Sequence, residues 1–200
     1  IGDFAGAESF HAGVSDKATY ERVLERLEED DDPQFIFDLT MANHGGYVLD
    51  NIPEPYSTEV SLDGMGDDIL SQVDEYIGCI KRSDDDLDWF IDRLRALDRP
   101  VVLVFFGDHQ PGFTGELNDM LFPGEDQLSH TQRVHRTPYF IWSNYDIEGS
   151  AQEGERLDMG LNALGPKLLQ LIGAPMLDQQ KAVLTLQQQL ACVNVNGYMG

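Results

Sequence analysis

The sequence predicts an α/β protein with a layered, mainly parallel sheet flanked by helices. Residues 34–41 and 101–106 are short, almost continuously apolar runs, which is typical of strands covered on both faces. Between them, apolar residues recur every three or four positions from Val73 to Leu94, which indicates a long amphipathic helix. Buried strands separated by a helix favour parallel packing in one sheet.

The elements of the N-terminal half follow in order. Ser15 or Asp16 is expected to cap a first helix that ends in the acidic run before Pro33. The strand at 34–41 leads into a loop at 42–46 that contains two glycines. Residues 48–66 are rich in Pro, Gly and Asp and predict a long irregular connection, a feature that is often functional in a compact domain.

The C-terminal half continues with the strand at 101–106, a turn-rich loop at 107–112 and a further strand at 138–142. A helix is expected around 161–172 that is interrupted by Gly165-Pro166, with Pro166 suited to a first helical turn. A last helix over 183–190 would lie within a peripheral segment, residues 176–200. The predicted order is therefore helix, strand, helix, two strands and helix.

One acidic side chain is predicted to lie on the apolar face of the long helix. Continuing the spacing from Ile80 places Asp84 on the buried stripe, where it would need a partner. Such a carboxylate could brace a neighbouring loop or act directly in catalysis. Asp85, Asp86 and Asp88 are expected to be solvated.

Composition excludes some partners. The chain carries 36 acidic and 13 basic residues, a formal charge of −23, which would repel a nucleic-acid backbone or an anionic membrane surface. Cys79 and Cys192 are too few to form a disulfide framework. A cation is the natural counterpart of such a chain, although most of its carboxylates are expected to be ordinary surface groups.

Two predicted loops carry residues suited to chemistry. Ligands collect beyond the carboxyl ends of strands in open α/β sheets, and His44, Asp108 and His109 each follow a predicted strand. Imidazole and carboxylate groups are ligands for zinc or manganese. Consecutive side chains of an extended segment point apart, so Asp108 and His109 could share one ion only if the backbone bends, which Gly107 permits.

These motifs, in this order, resemble a known family. Asn43-His44 after a strand, the long helix with its internal Asp84, and Gly107-Asp108-His109 are similar to the second half of the lipoteichoic acid synthase and sulfatase group in the alkaline phosphatase superfamily. The similarity runs from residues 13–17 through 136–141 to 168–173. It implies an alkaline phosphatase-like partial domain, with residues 1–200 forming the C-terminal portion of a single catalytic domain.

The resemblance also implies roles for individual residues. Asp108 and His109 would bind a divalent metal ion, manganese in the first place, with zinc or calcium as alternatives. His44 would contact the substrate phosphate or its leaving oxygen. The family's nucleophile would lie upstream, so the fragment alone is expected to turn over no ester.

Four further residues precede or flank the strand at 138–142, and they leave two interpretations open. His130 and His135 could supply a second metal ligand or be solvated loop histidines, and Arg133 and Arg136 could hold a phosphate or an acidic neighbour. His11 receives no role.

The expected function is that of a metal-dependent phosphoester or sulfoester transferase or hydrolase. The resemblance favours a phosphoglycerol transferase that acts on a membrane lipid head group, outside the cytoplasm at the cell membrane, and is anchored by an upstream segment. The alternatives are a sulfatase and a non-catalytic binding domain that kept the fold.

Overall fold

The structure is a computed structural model that describes residues 4–150, 154, 156–194 and 197–199. The two ends of the predicted domain, at Ile1 and Gly200, lie outside the described residues. The chain forms two compact units. Unit 1 comprises Ile1–Asp98 and Pro111–Leu121, and unit 2 comprises Arg99–Gln110 and Phe122–Gly200.

Unit 1 is built on helices. A short antiparallel ribbon of β1 (Ser9–Phe10) and β2 (Gly13–Val14) precedes α1 (Asp16–Glu29), which is followed by α2 (Asp67–Arg95) and α3 (Thr114–Leu121). The Ser15 hydroxyl accepts the Ala18 N–H at 3.3 Å, which confirms the predicted cap of α1. The long amphipathic helix and the irregular connection before it are confirmed as well.

Aromatic contacts hold unit 1 together. Tyr20 of α1 stacks on Phe90 of α2 with ring centroids 4.4 Å apart, and both side chains are buried. A second cluster centres on Phe10, Tyr47 and Cys79, against which partly buried side chains pack: Ile52, Tyr56, Tyr76 and Phe113. The aromatic rings of this cluster meet edge to face, which adds to the free energy gained from burial alone.

The strand predicted at residues 34–41 is not formed. The segment has no regular secondary structure, and Phe35 and Phe37 are 88% and 66% exposed. A strand is stabilised by a hydrogen-bonded neighbour, and none of the described strands pairs with this segment. The apolar run predicted burial in a sheet, but an apolar sequence does not specify which strand would pair with it.

Unit 2 contains the two other predicted strands. β3 (Val102–Phe106) pairs with β4 (Tyr139–Ser143), and Phe105 stacks on Phe140 at 5.3 Å. The pairing is antiparallel, not parallel as expected, because the chain enters β4 beside the end of β3. An apolar run predicts burial but does not determine strand direction.

Helices and a second ribbon complete unit 2. The remaining elements, in chain order, are α4 (Gln127–Val134), a 3₁₀ turn (Leu161–Ala163), α5 (Leu164–Leu171), α6 (Asp178–Gln187), β5 (Cys192–Asn194) and β6 (Gly197–Met199). Pro166 lies in the first turn of α5, as predicted. The last helix begins and ends earlier than predicted, and a strand pair follows it within 176–200. Across the described ranges, every helix is too short or too polar to cross a membrane.

Candidate functional site

The end of β3 positions the Asp108-His109 loop. The Gly107 N–H donates to the Pro138 carbonyl at 3.0 Å, and a side chain at Gly107 would place its Cβ 3.2 Å from Cβ of Thr137. Glycine therefore allows the two segments to approach closely where β3 ends. Beyond it the side chains of Asp108 and His109 are 68% and 66% exposed, which leaves them accessible to a ligand.

The structure brings Asp108 and His109 together. Asp108 Oδ2 lies 3.4 Å from His109 Nε2, and Asp108 Oδ1 accepts the His109 N–H at 2.8 Å. His109 Nδ1 lies 3.0 Å from the Gln110 carbonyl oxygen. Because a carbonyl only accepts, Nδ1 carries the hydrogen, and Nε2 of the neutral ring is then an acceptor that can ligate a metal ion.

This geometry fits a divalent metal ion. Two ligand atoms about 2.1 Å from a tetrahedral zinc ion lie about 3.4 Å apart, which matches the Oδ2 to Nε2 distance. Metal-binding histidines typically donate their other ring N–H to a carbonyl, as His109 does to Gln110. The pair supplies two ligands, and the described part of the chain contains no group of three His, Cys, Asp or Glu side chains suited to a metal.

Gln110 braces this loop, a role that the sequence interpretation missed. Its side-chain amide donates to the carbonyl oxygens of Arg133 and Arg136 at 3.0 and 2.9 Å, at the end of α4. The residue whose carbonyl fixes the His109 ring is thereby anchored by its own side chain. A glutamine after an Asp-His pair gives little sequence signal, because its partners are backbone atoms more than 20 positions away.

His44 lies in unit 1, in the predicted loop after residue 41. Its side chain is exposed, and its N–H donates to the Met41 carbonyl at 3.1 Å. The backbone then passes through positive φ values at Gly46 (127°) and Tyr47 (26°). A non-glycine residue in this region costs about 1–3 kcal/mol and persists only where its surroundings hold it. Tyr47, which is 5% exposed and packs edge-to-face on Phe113, provides that support.

The three predicted site residues therefore fall in different units. Asp108 and His109 belong to unit 2 and His44 to unit 1. That His44 faces the Asp108-His109 pair stays a prediction, as do the metal and substrate roles of all three.

Two consecutive hydrogen bonds connect the His44 loop to the beginning of α1. The Asn43 side-chain amide donates to Ser83 Oγ at 2.7 Å, and the Ser83 hydroxyl donates to the Asp16 carboxylate. Burial raises the pKa of Asp16, and the hydrogen bond from Ser83 opposes that rise. The residue before His44 is thereby tied to two helices.

The buried aspartate of α2 is Asp86, and the prediction that placed Asp84 on the buried stripe is wrong. Asp86 is 5% exposed and accepts hydrogen bonds from the Lys17 N–H at 3.1 Å and from Arg82 Nε at 2.9 Å. Asp84 is exposed. The stripe was extended from Ile80, which is itself 46% exposed, whereas the buried positions are spaced from Cys79. A count from Cys79 through Phe90 would have found Asp86.

His11, to which the sequence assigned no role, is buried against Glu75 of α2. Its side chain is 0% exposed, and its Nε2 lies 3.3 Å from Glu75 Oε1. The ring stacks on Tyr47 with centroids 5.5 Å apart. The sequence offered one signal for this contact: Glu75 lies four residues before Cys79, on the buried stripe of α2, so a buried carboxylate in need of a partner could have been predicted there.

The polar residues before β4 have partners of their own. His130 Nδ1 lies 3.7 Å from a Glu125 carboxylate oxygen, and His135 Nδ1 donates to the Thr131 carbonyl at 2.6 Å. Arg133 Nε donates to Glu125 at 3.0 Å, so this arginine holds an acidic neighbour, one of the two predicted alternatives. These contacts involve only Nδ1 of each ring, so a second metal ligand at His130 or His135 stays a prediction.

Comparison with a solved structure shows the fold. The fold matches Streptococcus pyogenes phosphoglycerol transferase GacH, solved in complex with sn-glycerol-1-phosphate, with a TM-score of 0.67 and 21% identity. The match covers 93% of this chain and 44% of that chain. The chain thus has the α/β fold of the alkaline phosphatase-like enzymes, as a partial domain, which confirms the predicted fold class.

Sequence comparison defines the family. The sulfatase family model matches residues 3–174, and the chain belongs to this family. Two proteins of Rhizobium meliloti (strain 1021) are similar. The capsular polysaccharide biosynthesis protein RkpI is 37% identical over 100 residues, 49% of this chain and 16% of that protein. A protein named for cyclic beta-1,2-glucan modification is 26% identical over 138 residues, 66% of this chain and 21% of that protein. The chain thus covers between 16% and 21% of the length of these relatives.

Proposed function

We propose that this chain supplies part of the active site of a metal-dependent phosphoester or sulfoester transferase or hydrolase, and that the intact protein is a phosphoglycerol transferase acting at the cell envelope. The observation that carries the proposal is the convergence of Asp108 Oδ2 and His109 Nε2, 3.4 Å apart on an exposed loop. The likeness to GacH in fold and the names of the Rhizobium relatives support the substrate class and the location.

Asp108 and His109 would hold a divalent ion, manganese in the first place. When bound, such an ion lowers the pKa of an attacking hydroxyl and stabilises charge on the phosphoryl oxygens. The carboxylate contributes negative charge, and the imidazole is held in the required tautomer by the Gln110 carbonyl. We assign no nucleophile among the described residues.

His44 would act on the substrate. An exposed imidazole can donate a hydrogen bond to an anionic phosphate oxygen or protonate an alkoxide leaving group near neutral pH. The glycines that follow it allow a ligand to approach the backbone closely. A phosphate ester of glycerol, in a lipid head group, is the substrate that we propose.

Metal analysis tests the ligand assignment. The intact protein, purified without chelator, is expected to hold one equivalent of manganese or zinc by mass spectrometry. Asp108→Ala and His109→Ala should remove it, and Gln110→Ala, which keeps the carbonyl that contacts His109, should weaken binding by up to about tenfold, the lower end of the range for such groups. His135→Ala is the matched control, because that exposed ring donates to Thr131 in the same unit. If metal content is unchanged in the Asp108 and His109 variants, the assignment is wrong.

Substrate assays separate the candidate functions. Release of glycerol phosphate from a phosphatidylglycerol vesicle would support the transferase, whereas hydrolysis of an aryl sulfate with no action on the lipid would identify a sulfatase. His44→Ala should abolish turnover while the metal content stays at the wild-type level. A protein that binds either substrate but turns over neither is the third outcome, a binding domain that kept the fold.

A further inference from the structure

His11 contacts one end of the loop that carries His44. The residue lies between β1 and β2 at a φ of 50°, and its Nδ1 donates to the Ala42 carbonyl at 3.0 Å. Ala42 is 2% exposed, so this hydrogen bond is made in the interior of unit 1. The backbone of His11 is itself held from outside, because the Asn51 side-chain amide donates to its carbonyl at 3.2 Å.

Glu75 contacts the other end of the same loop. Its two carboxylate oxygens accept the Leu49 N–H at 3.0 and 3.1 Å, and the side chain is 6% exposed. His11 Nε2 lies 3.3 Å from Glu75 Oε1. Two buried side chains in contact with one another therefore join residue 42 to residue 49, with His44 between them.

Burial explains why Glu75 needs partners close to its carboxylate. A carboxylate removed from water needs a positive partner or several hydrogen-bond donors. Glu75 has the Leu49 N–H on one side and the imidazole on the other. The Nε2 contact has the length of an ion pair but not the alignment of a hydrogen bond, so this arm is a close contact between two buried side chains. Tyr47, stacked on the imidazole, occupies the same loop.

We propose that His11 is a positioning residue for His44. It acts through a clamp, which consists of the Ala42 carbonyl, the His11 ring, Glu75 and the Leu49 N–H. This inference rests on the proposed function, because it assumes that His44 acts on the substrate. His11 does not touch the substrate. It fixes both ends of a loop whose backbone is strained at Tyr47, so that the exposed imidazole of His44 is presented in one place.

Two substitutions of His11 separate the two arms of the clamp in the intact protein. His11→Asn keeps a donor at the position of Nδ1 and tolerates a positive φ, so it retains the Ala42 arm and loses Glu75. His11→Gln keeps a donor at the position of Nε2 and loses Ala42. Glu75→Gln and the double variant with His11→Asn test whether the pair acts as one unit, and His135→Asn is the matched control.

The expected result combines hydrogen exchange with kinetics. Amides of residues 42–50 should exchange faster, with the Leu49 amide most affected when the Glu75 arm is lost. The kcat for the phosphoester should fall at least about tenfold, short of the roughly 10²-fold that a 1 Å misplacement can cost. KM and metal content should stay within about twofold of wild type, and the double variant should fall no further than the worse single variant.

Three outcomes would overturn the inference: unchanged exchange at residues 42–50, faster exchange with unchanged kcat, or additive losses in the double variant. If the His11 variants do not fold, Asn51→Ala is the substitute, because Asn51 is exposed and its side-chain amide donates to the His11 carbonyl. Its loss should speed exchange and lower kcat in the same direction, by a smaller amount. If the wild-type protein turns over no ester, the proposed function fails, whereas the exchange experiment still reports whether His11 holds the loop.

Discussion

Asp86 of α2 is expected to contribute far more to the stability of unit 1 than its exposed neighbour Asp84. Replacement by Ala removes two hydrogen bonds, one from the Lys17 N–H at the beginning of α1 and one from Arg82 Nε. Removing one member of a buried ion pair costs about 3–5 kcal/mol. Arg82 keeps its contact with Glu8 at 2.8 Å and is 15% exposed, so we expect the lower end, about 3 kcal/mol.

The matched control is Asp84→Ala, two positions away on the same helix. Asp84 is exposed, and its replacement should change the free energy of unfolding by less than about 0.5 kcal/mol. Urea denaturation can be followed through Trp89 of α2 in a Trp142→Phe background, which leaves a single tryptophan. A loss of about 3 kcal/mol corresponds to a Tm lower by about 6–12 °C. Equal losses in the two variants, or a larger loss for Asp84→Ala, would refute the reasoning.

Two further predictions concern the same unit. Because burial raises the pKa of Asp16 in the folded protein, the native state binds a proton more tightly than the unfolded chain. The free energy of unfolding of the wild type, measured relative to that of Asp16→Asn, should therefore fall as the pH rises from 3.8, the ordinary pKa of an aspartate, through the raised pKa. Urea denaturation at successive pH values measures this difference. A rise over that window would contradict the expectation. Gly78→Ala places a Cβ 2.6 Å from Ile52 Cγ2 and 3.0 Å from the Tyr56 carbonyl oxygen, and should cost about 1–3 kcal/mol. Gly115→Ala in α3, with open space around the new Cβ, should instead stabilise by up to about 1 kcal/mol, and calorimetry showing the same sign for both would be inconsistent with this packing.

The sequence predicted correctly those features that depend only on neighbouring residues in the chain. Ser15 at the beginning of α1, Pro166 in the first turn of α5, and the apolar spacing of α2 each depend on atoms within a few residues, and all three appear as predicted. Asp84 was placed wrongly because the helical spacing was counted from the wrong residue. Ile80 is half-exposed, so positions spaced from it lie off the buried face of α2, which Cys79 marks.

Long-range partners explain the remaining differences. Residues 34–41 have the composition of a covered strand, but whether a strand forms depends on a neighbour that composition does not specify. The direction of β4 relative to β3 depends on where the connecting chain re-enters the sheet. At the candidate site, the pair Asp108-His109 was visible in the sequence, whereas Gln110 and His11 act through backbone carbonyl groups that lie distant in sequence.

The order in which the chain builds its two units limits how the protein can be divided. The polypeptide leaves unit 1 after Asp98, returns to it for Pro111–Leu121 and leaves again. A shortened gene product ending at Asp98 would lack Phe113, whose ring contacts Tyr47 and Tyr76 in the cluster beneath the His44 loop. Neither unit can therefore be expressed as one uninterrupted stretch of sequence, and a protease cut within 99–110 would separate segments of both.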